Sequence, residues 1–180
     1  DTMRAIAAKK SLGDDEARLL ARWLVASGVQ ADAEALLGRD LPRGVKADIA
    51  CVLAKATPPG PRRAGFLAAM VANGATSLND GHRRLAEVSE GLPSDVLWSA
   101  VLHTITDPAT DEQSVDSLAA CAGDLTLATP STQTLADRRR SAESLQKLVD
   151  GAIGKAAADS PARAALDKLT TTLAAVRAEL

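Results

Sequence analysis

Residues 160–180 read SPARAALDKLTTTLAAVRAEL, and their apolar positions decide the fold class. Leu166, Leu169, Leu173, Val176 and Leu180 alternate at spacings of three and four, the seam of a helix that buries one stripe against a neighbour. Ser160-Pro161 ahead of them is a cap followed by a residue suited to the first helical position, because proline lacks the amide that would be left unpaired there. Upstream, after Thr129-Pro130, a second helical pattern carries Leu135, Ala142, Leu145, Leu148, Val149, Ala152 and Ala156 on one side. Arg138, Arg139 and Arg140 lie on its other side, balanced by Asp137 and Glu143, and read as a solvated face. Two long helices joined by a short turn predict an antiparallel hairpin.

Towards the N-terminus the breakers fall too close together for long strands and crossovers, and they mark out short helices. Asp14 or Asp15 is placed to cap a helix over 14–27 in which Leu19, Leu20, Trp23 and Leu24 form the apolar repeat, with Gly28 after its end. A shorter piece, 31–37, stops at Gly38. Pro42 opens a segment with Val45, Ile49, Val52 and Leu53 on one face, which must end before Pro58-Pro59-Gly60-Pro61. Pro61 starts a helix carrying Phe66, Leu67, Met70 and Val71, ended by Asn73-Gly74. A helix from about residue 80 with Leu85 and Val88 runs to Gly91. Ser94 is placed to cap the next, whose Val96, Leu97, Trp98, Val101, Leu102 and Ile105 are apolar over most of the circumference, so it is expected at the centre of the core. Thr110 is placed to cap one more, with Val115, Leu118 and Ala119 inward and Gly123 as its stop. The expected fold is all-α: a compact irregular bundle of six or seven short helices over 1–128, followed by a long C-terminal antiparallel helical hairpin over 129–180 packed on it. No period of 34 or 40 residues recurs with a signature residue, which favours a compact domain over a solenoid.

Composition agrees. Of 180 residues, 46% are hydrophobic and 24% charged, with 21 basic against 23 acidic, the balance of a globular chain. There is one Phe, two Trp and no Tyr, while Ala supplies about a fifth of the chain, so the core must be built from Ala, Leu and Val. That suits closely packed helices, since Ala has the best helix propensity and strands favour β-branched and aromatic residues. A net charge of −2 argues against nucleic acid as a partner, because no global positive field is available to release counterions. No apolar run approaches the roughly 18 residues of a membrane span, and the first ten residues lack the apolar segment of a signal peptide. A chain opening at Asp1 reads as a fragment or a processed product. The expected setting is soluble, cytoplasmic or secreted into a host cell.

Chemistry-bearing motifs are sparse. No Gly-x-x-x-x-Gly-Lys-Ser/Thr phosphate cradle occurs, and no cofactor is expected. His82 and His103 lack the spacing of a zinc site, and no metal is expected. Cys51 and Cys121 lie far apart inside apolar stretches and read as small buried hydrophobes rather than a disulfide or a nucleophile. Asp14-Asp15-Glu16 and Asp111-Glu112 sit in first helical turns, where the helix dipole favours negative charge without any catalytic role.

These features favour a protein–protein interaction domain, and the Ala-rich, Tyr-free texture of a GC-rich bacterial genome suggests a secreted effector acting on host proteins. Its contacts are expected at Asn79, His82, Arg83 and Arg84 in a loop between helices and at Arg43 in the turn Pro42-Arg43-Gly44, because recognition residues concentrate in loops held by rigid scaffolds. The alternative is an E3 ubiquitin ligase domain that docks a charged ubiquitin-conjugating enzyme without a catalytic cysteine. A third reading is a GTPase-activating module offering Arg43 from its turn as a loop arginine, although the Gly-x-Leu-Arg order of bacterial effectors with that activity does not occur here.

Overall fold

The computed structural model describes residues 2–74, 87–120 and 134–179. Among them are nine α-helices of six residues or more, one 3-10 turn and no strand. In chain order the helices are α1 (Thr2–Ala7), α2 (Asp14–Ala26), α3 (Gln30–Ala35), α4 (Arg43–Ala56), α5 (Pro61–Ala72), α6 (Ser94–Thr106), α7 (Glu112–Ala120), α8 (Leu135–Ile153) and α9 (Pro161–Glu179). The chain is all-α, as its 3.6-residue periodicity requires.

The centre is formed by α4, α5 and α6, with α5 packed between the other two. On α4 the buried residues are Val45, Ala47, Ile49, Ala50, Cys51, Leu53 and Ala54, and on α5 they include Phe66, Leu67, Met70 and Val71. Trp98 of α6 is 2% exposed, with Leu97, Val101 and Ile105 beside it. Against this centre, α2 packs on α4, α7 packs on α5 and α6, and α8 and α9 fold back against each other over α6 and α7. The seam residues Leu166, Leu169, Leu173 and Val176 are all buried.

Helix ends follow the expected punctuation with local changes. Gly28 (φ 77°) closes α2 in the left-handed region, where a Cβ would be strained. The N-cap of α2 is Gly13 rather than an aspartate, its amide donating to the Glu16 carboxylate at 3.1 Å. Pro93, not Ser94, occupies the cap of α6. At α7 the capping oxygen comes from Asp111, not Thr110, and accepts from the Ser114 amide at 2.9 Å. Thr134 caps α8 reciprocally with Asp137, whose amide donates to Thr134 Oγ1 at 3.2 Å while its carboxylate accepts from the Thr134 amide at 3.1 Å. Ser160 caps α9 as read, accepting from the Arg163 amide at 3.2 Å. The 31–37 piece divides into α3 and a 3-10 turn at Leu36–Gly38. Of the helix expected to start near residue 80, residues 87–89 are helical, and positions 80–86 lie outside the described residues.

Two apolar faces differ from expectation. On α2 the core takes Ala17, Leu20, Ala21 and Leu24, while Leu19 is 54% and Trp23 38% exposed. A helix packed at the edge of a bundle buries one stripe, and on α2, which packs on α4, two of the four residues of that stripe are alanines. The bulky pair Leu19 and Trp23 is left on the outside. On α8, Leu135 and Leu148 are likewise exposed, and the inward stripe is Ala142, Leu145 and Val149.

Candidate functional site

The two ends of α5 carry the polar features that bear on function. At its C-terminal end the guanidinium of Arg43 is gripped from three sides. Arg43 is the first residue of α4. Its Nη1 donates to Asp111 Oδ1 at 2.9 Å, and its Nη2 donates to Ser114 Oγ at 3.0 Å and to the Ala72 carbonyl. That carbonyl belongs to the last turn of α5, where backbone acceptors lack helical partners. One side chain thus joins the start of α4, the end of α5 and the start of α7. Ser114 also donates from Oγ to Asp111 Oδ2 at 2.8 Å. Partial burial acts to raise the Asp111 pKa, but the Ser114 hydroxyl and amide and the Arg43 guanidinium outweigh it and hold the carboxyl at about 2.

The sequence singled out Arg43 as an arginine projecting from a turn; the structure shows it tied into the helical framework. Its side chain is still 32% exposed, and Nε takes no part in these three bonds. Asn79, His82, Arg83 and Arg84, the other expected contact residues, lie outside the described residues, as does Cys121. Cys51 is buried among the apolar residues of α4.

At the N-terminal end of α5 the surface opens into a groove of about 490 Å³ against α6. Pro61 and Gly65 line it from α5, and Asp95, Val96, Ser99 and His103 from α6. Gly65 lies inside α5, exposed, and a Cβ built on it meets nothing within 4 Å. Glycine in a helix interior costs roughly 1 kcal/mol relative to alanine. No close contact among the described residues asks for it.

Asp95, Ser99 and His103 follow one another at every fourth position, so they line one face of α6 with a rise of roughly 6 Å between neighbours. Among the described residues no side-chain hydrogen bond joins them, so no base is aligned on the Ser99 hydroxyl in the manner nucleophilic catalysis needs. They form a polar edge, anionic at Asp95, along a small-residue floor. A second cleft of about 630 Å³ lies between the α6–α7 connection and the α8–α9 turn. Of its polar side chains, Asp107 accepts from the Ala109 amide, Ser160 donates to the Ala157 carbonyl and Thr106 donates to the Leu102 carbonyl, while Thr110 and Lys155 also line it. Among the described residues no group of three or more His, Cys, Asp and Glu is placed to hold a metal ion, and no helix is long and apolar enough to cross a membrane.

The groove residues gave little signal in the sequence. Gly65 belongs to no motif there, and His103 is notable only for lacking the spacing of a zinc site. Comparison with known proteins adds no relative: no family model, no curated protein and no solved structure matches the chain.

Proposed function

We propose that the chain is a protein-interaction domain whose groove between α5 and α6 receives an apolar segment of another protein. The observation that carries this reading is Gly65. A helix-interior glycine that no contact among the described residues requires, placed at the floor of an open groove, lets a partner's backbone come close, one of the uses for which glycine is suited. Val96 and Ala100 add apolar surface beside it, and Asp95 offers a carboxylate to a cationic residue of the incoming segment. Sites of this kind combine a mostly apolar floor with a few polar groups that set orientation.

Panning a random peptide library on the folded domain tests the reading. Peptides selected by the wild-type chain should be apolar with a basic residue, and they should lose binding to Gly65→Leu, which fills the groove floor from an exposed position. Selection of peptides that bind wild type and Gly65→Leu equally would remove the groove as the site.

A further inference from the structure

The exposed face of α2 is a second, separate surface, and it does not depend on the groove. Only three aromatic side chains occur in the chain. Phe66 and Trp98 are in the core, whereas Trp23 stands on the surface of α2 with Leu19 one turn before it. Trp and Arg are the residues most enriched where binding energy concentrates. Arg22, beside Trp23, is exposed and makes no hydrogen bond or ion pair to another described residue. Asp15, two turns before Arg22, has a fully exposed side chain, and among the described residues its one ion pair is with Arg18 at 3.2 Å. Arg18 is held more closely by Asp48 at 2.8 Å, so Asp15 is free to exchange partners at little cost.

The order of these residues along the helix matters. At about 100° per residue, Asp15 and Arg22 fall on the same flank of the exposed stripe, with Leu19 on its midline between them. A two-fold axis crossing the stripe at Leu19 reverses the helix direction and keeps the flank, so the Asp15 position of one copy meets the Arg22 position of the other, twice. On the opposite flank the same operation sets Trp23 against the stem of Glu16 of the second copy. Leu19 meets Leu19. The face is therefore complementary to itself in charge and in apolar content, the property an isologous contact requires.

We propose that α2 is a self-association surface: two copies of the chain pair antiparallel through Leu19 and Trp23, with Asp15 of each copy facing Arg22 of the other. A 13-residue helix is about 20 Å long and covers far less than the ~800 Å² per partner of a standard stable interface. The dimer is accordingly weak and concentration-dependent, and salt loosens it by screening the two charge pairs.

Sedimentation equilibrium on the full chain, from roughly 10 μM to 1 mM, a range suited to weak association, tests this directly. The wild-type mass should rise with concentration from 18.6 kDa towards twice that value. Arg22→Glu and Asp15→Lys should each remain at the monomer mass, because each sets like charges together at both contacts. An equimolar mixture of the two should associate again. In the mixed pair the introduced glutamate of one variant faces the introduced lysine of the other, and the retained Asp15 faces the retained Arg22, so both contacts are attractive. Trp23→Ala should weaken wild-type association by at least roughly tenfold, in line with an interface anchor. Circular dichroism of each variant should match wild type, since all three positions are exposed. A wild-type mass constant over the whole range, or a mixture no better associated than its two components, would overturn the proposal. Neither result bears on peptide binding at the groove, which Gly65→Leu reports separately.

Discussion

The two ends of α5 treat polar and small residues in opposite ways. At the C-terminal end the chain closes on itself: Arg43 of α4 satisfies a terminal carbonyl of α5 and a serine and a carboxylate at the start of α7. At the N-terminal end the chain leaves space, with a glycine whose Cβ would meet no described atom within 4 Å and a row of Asp95, Ser99 and His103 whose side chains make no bonds to one another. Polar groups that are mutually satisfied hold a framework together, and groups left open on a rigid framework are available to a partner. The difference separates what stabilises this protein from what it offers to others.

Trp98 lies beneath the open end, on the inward side of the helix whose outer face forms the groove. Trp98→Ala should cost about 3–5 kcal/mol, enough to unfold a domain of marginal stability, as read from chemical denaturation. A well-folded variant would show that α6 is not anchored through this side chain. At the closed end, Arg43→Ala leaves Asp111, Ser114 and the Ala72 carbonyl short of a donor and should cost about 2 kcal/mol. Arg43→Lys should recover only part of this, because an ammonium lacks the planar fork that reaches three acceptors at once. Peptide binding at the groove should survive Arg43→Lys if the two ends are independent.

The closed end also titrates. The Asp111 carboxyl is held at about 2 in the folded chain, below its ordinary value of 3.8. Its contribution is fully present above the ordinary value and is lost as pH falls from about 4 to about 2. Because the carboxylate is 63% exposed, solvent screening limits the contribution to about 1 kcal/mol or less. Urea midpoints measured across that window should fall with pH in the wild type and fall less steeply in Asp111→Asn. Equal slopes would mean that the Arg43 cluster does not couple to the proton.

The legibility of these regions in the sequence follows from how each is encoded. Pro61, Gly28, Ser160 and the leucine seam of α9 act through local backbone and periodicity, and each stands where the sequence places it. Tertiary choices were harder to read. The apolar residues of α2 allow more than one inward stripe, and the one selected uses Ala17 and Ala21, which turns Leu19 and Trp23 outward. Arg43 stands out in the sequence by its Pro/Gly turn, but its acceptors come from residues 29, 68 and 71 positions away, a pairing that no local pattern encodes. Gly65 gave no signal, since its meaning depends on the empty space beside it in the folded chain.

The smallest change in stability tests the central claim most directly. Gly65→Ala adds one methyl group to a helix interior where nothing lies within 4 Å. If the glycine serves a partner rather than the fold, the substitution should stabilise the domain by about 0.5–1 kcal/mol and raise its melting temperature by a few degrees. The same variant should bind groove-selected peptides more weakly than wild type. A lower melting temperature would mean that the fold itself needs glycine at position 65, and unchanged peptide affinity would mean that no partner comes close to it; either result contradicts the account.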